Sequence, residues 1–163
     1  MRTKAGVFGV LLVTAVALLA VASAGASNGA GAVSFTQHFN NEVLFGDHDV
    51  NPCTGAPGTV TATAVNGVFH ITTLANGTFW ATFTAEGTIT FVPDDPSDPS
   101  FSGHFAVWDG ENGNLQNETE TSTFNAVLVG SDGSHVGTHE TFHMSTSASG
   151  GSITFDKPHL TCG

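Results

Sequence analysis

Apolar and polar residues alternate at every second position through most of this chain. In "GTFWATFTAEG" the residues Phe79, Ala81 and Phe83 fall on one side, and "STFNAVLVG" repeats the pattern. Successive side chains of a β-strand point to opposite faces, so this period is typical of strands with one buried face. Beyond the N-terminal segment we find no convincing helical pattern. The chain is therefore predicted to be all-β.

Short runs of this kind are separated by turn dipeptides. The runs are "AVSFTQHF", "TVTATAV", "GVFHITTL", "TITFV", "SGHFAVW", "THETFHMST" and "SITF", and the dipeptides include Asn66-Gly67, Asn76-Gly77, Asp109-Gly110, Asn112-Gly113 and Asp132-Gly133. Such a sequence predicts about eight to ten short antiparallel strands. We favour an up-and-down barrel, because the turns are short enough for a meander. A β-sandwich is the alternative.

Two acidic segments are expected to be loops. "VPDDPSDPS" (92–100) is rich in proline and aspartate, which favours a turn over a strand. Its aspartates lack the spacing and central glycine of a calcium loop. Asp47-His48-Asp49 is likewise predicted to be a polar loop and not a metal site.

The N-terminal residues resemble a secretory signal. Arg2 and Lys4 precede the apolar run Val7–Val21, and Ala22-Ser23-Ala24 is a small-x-small cleavage sequence. The apolar run is short for a membrane span. We therefore predict a signal peptide over 1–26 and a single β-barrel domain over 27–163, secreted and with no membrane attachment after cleavage.

The charge excludes one class of partner. The chain has 3 basic and 14 acidic residues and a net charge of −11. Cleavage of the signal would leave Lys157 as the one basic residue. Such a surface repels phosphate backbones, so nucleic acid is not expected as a partner.

Two cysteines, Cys53 and Cys162, remain after the predicted cleavage. An even count in an exported protein predicts one disulfide bond between them. This bond would hold the last strand to an early loop.

The pentapeptide "HETFH" (139–143) matches the H-E-x-x-H zinc signature of metalloproteases. That signature requires a helix, whereas threonines, serines and flanking glycines here favour a strand. Four residues of strand would separate His139 from His143 by roughly 13 Å, too far to share one zinc ion. We therefore reject the protease interpretation. A surface zinc or copper site formed by His70, His139 or His143 is a weaker hypothesis; no metal and no cofactor are predicted.

Counting by twos assigns the faces of the predicted sheet. Phenylalanines collect on the face that we predict to be interior: Phe35, Phe39 and the candidate ligand-lining residues Phe69, Phe79, Phe83, Phe105, Phe124 and Phe142. The opposite face collects histidines, threonines, Trp80 and Trp108. Burying the phenylalanine face removes far more apolar area from water. Gln37 and Glu140 are the polar residues expected on it.

The segments "NPCTG", "HETFH" and "LTCG", together with the signal peptide, resemble small secreted all-β proteins of actinobacteria, most of which have no assigned function. The resemblance implies export, β architecture and the Cys53–Cys162 bridge. It implies no active site.

Two functional classes follow. We expect a non-enzymatic, monomeric module that binds a small apolar ligand or an extracellular protein. The alternative is a barrel enzyme similar to allene oxide cyclases or dirigent proteins. Polar groups on the phenylalanine face would favour the enzyme, and a continuous apolar face would favour the binder.

The predicted export can be tested directly. We expect the mature protein to begin at Gly25 or Ser27. Intact-mass measurement of the secreted protein decides this, and retention of Val7–Val21 would contradict it.

Overall fold

β-branched and aromatic residues in alternation with small residues form the strands of this protein. The computed structural model describes residues 31–147 and 149–163, and these contain strands and turns but no helix. The strands are β1 (Val33–Phe39), β2 (Glu42–Val50), β3 (Pro57–Thr73), β4 (Phe79–Pro93), β5 (Phe101–Gly113), β6 (Asn117–Gly130), β7 (His135–Ser147) and β8 (Gly150–Cys162). The predicted all-β class is confirmed.

The eight strands form one antiparallel up-and-down sheet. Strands β3 to β8 pair in chain order, and β1 and β2 both pair with the same edge of β3. β1 runs along the second half of β3 and β2 along the first half. A bend at Asn41, with φ of 54°, separates the two short strands, and asparagine tolerates this left-handed conformation better than most residues.

The two edges of the sheet meet at one end. Cys53 follows β2 and Cys162 ends β8, and the two residues form a disulfide with their Cα atoms 5.7 Å apart. A flat sheet with six strand spacings of about 4.8 Å would hold its edges roughly 29 Å apart. The sheet must therefore curl back on itself, which gives it an inner and an outer face.

Hydrogen bonds between the edge strands do not close this curled sheet in the described residues. The recorded pairings end at β8 on one side and at β1 and β2 on the other. The up-and-down order is therefore established, and it fits both a rolled barrel and a sandwich.

The core lies on the inner face, as the phenylalanine pattern predicts. Phe69, Phe83 and Phe105 are buried, with 5%, 8% and 4% of their surfaces exposed. The rings of Phe39 and Phe83 pack edge to face at 5.7 Å between centroids. On the outer face, Trp80 and Trp108 are each 45% exposed. The predicted assignment of the two faces is confirmed.

Phe35 is the exception to the predicted burial. It pairs with the buried Ile71 and so belongs to the inner side, yet 48% of its surface is exposed. β1 is an edge strand, so no further strand covers this side chain.

Glycines allow neighbouring strands to approach closely where the sheet curls. A Cβ atom on Gly103 would overlap the carbonyl oxygen of Val127, and one on Gly87 would overlap that of Thr63. Glycine is the residue that fits where one backbone approaches another this closely. These two positions therefore permit the tight curvature of β4 and β5.

Three turn predictions are wrong. Asn66-Gly67, Asp109-Gly110 and Asn112-Gly113 lie inside strands β3 and β5. A bulge between Ala64 and Asn66 absorbs the first dipeptide, so two predicted strands are one. Asp47-His48-Asp49, predicted to be a loop, lies in β2 because it pairs along β3. The acidic segment after Pro93 is a loop, as expected.

The predicted signal peptide, 1–26, lies outside the described residues. Within the described part of the chain, no helix has the length and apolar character needed to cross a membrane.

The disulfide should contribute strongly to stability. It closes a loop with a sequence separation of 109 residues. We expect the variant Cys53→Ser with Cys162→Ser to lose about 2–5 kcal/mol of the free energy of unfolding. Urea denaturation measures this, and reduction of the wild-type protein should give the same loss. An unchanged denaturation midpoint in both experiments would contradict the prediction.

Candidate functional site

The inner faces of β5 and β6 change from apolar to acidic along their length. On β5 the inward residues after Phe105 and Val107 are Asp109 and Glu111, by the period of two. The register places Glu111 opposite Glu120 on β6, and Glu118 lies opposite Gly113. We call Asp109, Glu111, Glu118 and Glu120 the carboxyl cluster. It lies at the end of the sheet opposite the disulfide.

Asp109 is the most deeply buried member of the cluster, with 2% of its surface exposed. Its desolvation, together with the charge and hydrogen bond of Glu120, raises its pKa to about 7. No donor group of the described residues reaches its Oδ2 atom. A proton shared with the Glu120 carboxyl, an ordered water or a donor supplied by a bound molecule would satisfy this carboxyl group.

Glu120 is the partner of Asp109 and is also buried, with 7% exposed. Desolvation raises its pKa, while its hydrogen bond with Asp109 acts in the opposite direction. Burial and the mutual repulsion of the two groups thus favour a state in which the pair holds one proton near neutral pH. Two carboxylates this close cannot both ionise without a large repulsion.

Glu111 and Glu118 form the outer, half-buried part of the cluster. Desolvation raises the pKa of Glu111 to about 7, and a hydrogen bond with Glu118 and the charges of its neighbours act in the same direction. This pair lies nearer the open end of the inner face. The cluster thus carries protons near neutral pH that ordinary carboxylates would have lost.

Half-buried apolar side chains lie beside the cluster. On β7, Met144 lies opposite Glu120 and Phe142 lies opposite Ser122. Phe124 on β6 and Phe79 on β4 are also half-buried. The inner face therefore has partly accessible apolar surface and carboxyl groups next to each other at the end opposite the disulfide.

The six predicted lining phenylalanines divide into two groups. Phe69, Phe83 and Phe105 are buried and fill the core with their neighbours. Phe79, Phe124 and Phe142 keep part of their surface accessible. The second group contains the residues of this set that a ligand could reach without displacing the core.

The two polar residues expected on this face differ in their surroundings. Gln37 is exposed on edge strand β1, opposite Phe69. Glu140 is 6% exposed, and its desolvation, with the charge and hydrogen bond of Asp156, raises its pKa. Glu140 and Asp156 are thus a further carboxyl pair, on β7 and β8.

The "HETFH" segment forms part of β7, as predicted. His139 lies on the outer face, where its ring forms a hydrogen bond with the side chain of Asn125. Glu140, the next residue, lies on the inner face and is buried. His70 and His143 accept or donate hydrogen bonds with Thr36 and Thr121. No group of three or more potential ligands in the described residues could hold a metal ion.

Sequence reasoning missed all four residues of the carboxyl cluster. The dipeptides Asp109-Gly110 and Asn112-Gly113 suggested turns and ended the predicted strand too early. Continuing the period of two from Phe105 would have assigned Asp109 and Glu111 to the inner face. The same count along "NETETSTF" assigns Glu118 and Glu120.

Comparison of the chain with protein-family models, curated proteins and solved structures finds no match in any of the three. The resemblance to small secreted actinobacterial proteins therefore stays a prediction.

The buried carboxyls predict an unusual pH dependence of stability. A pKa raised from 3.8 to about 7 for Asp109 means that the folded state binds the proton more tightly than the unfolded state. This stabilisation is fully present below about pH 4 and is lost as the pH rises through about 7. The free energy of unfolding should therefore fall over this range by up to about 4 kcal/mol.

The variant Asp109→Asn cannot ionise and should flatten this pH dependence, with higher stability than wild type at about pH 8. Thermal and urea denaturation at several pH values measure the effect. Glu86→Gln, which removes an exposed carboxylate of β4 on the outer face, is the matched control. Exposed Asp95 and Asp132 do not interfere, since hydrogen bonds from Ser97 and Ser134 lower their pKa values. An unchanged slope in Asp109→Asn would contradict the assignment.

Proposed function

We propose that this protein binds a small amphipathic molecule that carries a positively charged amine. The proposal rests on one observation: the buried carboxyl of Asp109, whose Oδ2 atom has no donor in the described residues, interacts with Glu120, which lies opposite the half-buried Met144. An ammonium group supplies donors and a charge of the right sign. An alkyl or aryl body would cover the accessible parts of Phe142 and Met144.

The electrostatics of the cluster favour a cation over other ligands. A bound cation stabilises the ionised carboxylates and lowers their cost of burial. A carboxylate ligand would add to the repulsion among Asp109, Glu111 and Glu120. A purely apolar ligand would leave the Asp109 carboxyl without a new partner. The amine is the class that improves both the charge balance and the hydrogen bonding.

The proposal deepens the sequence-based expectation of a non-enzymatic module for a small apolar ligand. The apolar part of the expected ligand is retained, and the inward carboxyls add a polar end. We further propose that the module acts outside the cell as a monomer. A disulfide between two distant parts of the chain supports the extracellular location, since such bonds persist in oxidising compartments.

The enzyme alternative gains a specific observation of its own. Carboxyl groups whose pKa values are raised to about 7, as those of Asp109 and Glu111 are, suit general acid–base catalysis at neutral pH. Polar groups on the phenylalanine face were the feature expected to favour an enzyme. A binder returns its ligand chemically unchanged, so mass spectrometry of the recovered ligand separates the two functions.

The amine proposal can be tested with three matched probes: decylamine, decanol and decanoate, titrated calorimetrically below their aggregation concentrations. We expect decylamine to bind most tightly, decanol weakly and decanoate not at all. Decylamine binding should strengthen from about pH 5.5 to about pH 8 and release protons, because it competes with protons for the carboxyls.

Variants connect the binding to the cluster. Asp109→Asn with Glu120→Gln should weaken decylamine binding by about tenfold or more. Glu86→Gln removes one carboxylate from the outer face and should leave it unchanged. Equal affinity of the wild-type protein for decylamine and decanol, or equal loss in the cluster variant and the control, would refute the proposal.

A further inference from the structure

The indole ring of Trp108 lies across Gly110 on the outer face. A Cβ atom on Gly110 would lie 2.8 Å from Cη2 and 2.9 Å from Cζ2 of Trp108. Both residues point outward on β5, two positions apart, so the ring extends along the strand over the missing side chain. The ring is nevertheless 45% exposed. It therefore rests on the sheet and presents aromatic surface to solvent.

A second exposed tryptophan lies on the same face. Trp80 on β4 pairs with Asn112 on β5, and Trp108 pairs with Thr84. The two tryptophans are thus four residues apart along the strands, about 14 Å at roughly 3.4 Å per residue. The ring of Trp108 extends over Gly110 toward Trp80, which shortens the gap between the two aromatic groups.

The residues between the two rings are uncharged hydrogen-bonding groups, and His70 on β3 lies beside Thr82. Thr82 pairs with Gly110, and Thr121 on β6 lies on the other side of Gly110. We call Trp80, Thr82, Thr84, Trp108, Gly110 and Asn112 the tryptophan strip. In a chain with a net charge of −11, this strip contains no ionisable group.

A cavity of about 260 Å³ continues the strip at the end of the sheet. Both aromatic residues Phe79 and Trp80 line it, together with Thr78, Asn112, Gly113, Asn114, Asn117, Glu118 and Thr119. It is smaller than the roughly 300–1,000 Å³ pockets that hold drug-sized ligands. Two aromatic rings, amide groups and one carboxylate thus border a half-open space at the end of the strip.

We propose that the tryptophan strip and this cavity bind a neutral, extended β-linked glycan. A pyranose ring with equatorial substituents has two flat C–H faces and a rim of hydroxyl groups. Its faces stack on exposed indoles, and its hydroxyls pair with threonine and asparagine side chains. This arrangement of flat apolar surface and neutral polar groups matches the strip from Trp108 to the cavity.

Other ligands fit the same residues less well. An apolar protein surface would need a continuous apolar patch, whereas threonines and a glycine separate these two tryptophans. An anionic polymer would be repelled by the acidic protein. An α-linked glucan winds into a helix and would not hold its ring faces along a straight line of about 14 Å.

The test is titration of intrinsic tryptophan fluorescence with cellohexaose, maltohexaose and hexagalacturonate. We expect a saturable response to cellohexaose, a weaker response to maltohexaose and none to hexagalacturonate. Trp108→Ala and Trp80→Ala should each weaken cellohexaose binding by about tenfold. Calorimetry provides the readout for these variants, whose fluorescence is altered.

Two further variants separate binding from folding. Gly110→Ala keeps both tryptophans but displaces the Trp108 ring from the sheet, and it should also weaken binding. Val127→Ala alters another exposed apolar residue of the outer face and should have no effect. Circular dichroism and melting temperature verify that each variant is folded.

The proposal is overturned by any of three results. These are no saturable response to cellohexaose, unchanged affinity in both tryptophan variants, or equal affinity for hexagalacturonate. Self-association in sedimentation experiments that Trp108→Ala abolishes would instead assign the strip to contacts between copies, and would also overturn it. Glu118 is the one member of the carboxyl cluster that lines this cavity, whereas Asp109, Glu111 and Glu120 point to the inner face and are unchanged in these variants.

Discussion

The bond between Cys53 and Cys162 fixes the property on which the rest of the molecule depends. It joins the end of the last strand to the segment after β2, with the Cα atoms 5.7 Å apart, and so brings together the two edges of a sheet that pairs in chain order. Because the edges meet at one end, the curled sheet has an inner and an outer face. Side chains alternate between these faces along each strand, so that the phenylalanines pack together on the inner face and most threonines lie on the outer face in contact with water.

This separation gives the inner carboxyls their chemistry. Asp109 would be an ordinary aspartate on the outer face, but on the inner face its desolvation raises its pKa to about 7. Such burial opposes folding when the group is ionised, so the core has to offset it. A group that costs stability and lies beside accessible apolar surface is a reasonable candidate for function. The buried apolar cluster, which includes Val60, Phe91 and Phe105, occupies the inner face nearer the disulfide, so the accessible apolar surface lies at the opposite end.

The sequence predicts the fold class and the two faces well because both depend on local alternation. Phe83 and Phe105 are buried and Trp80 is exposed, as counting by twos predicts. The sequence predicts the ends of strands less well, because a dipeptide such as Asp109-Gly110 forms a turn only when no neighbouring strand pairs with it. Here β4 and β6 pair with both sides of β5, and this long-range pairing keeps the segment extended. The carboxyl cluster was missed for that reason, and the burial of Phe35 was overestimated because edge position is also a property of the whole sheet.

The same short segment, "WDGEN" (108–112), builds both proposed sites. Trp108, Gly110 and Asn112 face outward, while Asp109 and Glu111 face inward. Each outward residue therefore depends on the register that buries the inward ones, and a slip of one residue would exchange the two sets. Phe101 and Phe105 on the same strand prevent that slip, because it would bring both buried rings into water. The apolar half of β5 thus holds in place the polar half on which both binding proposals rest.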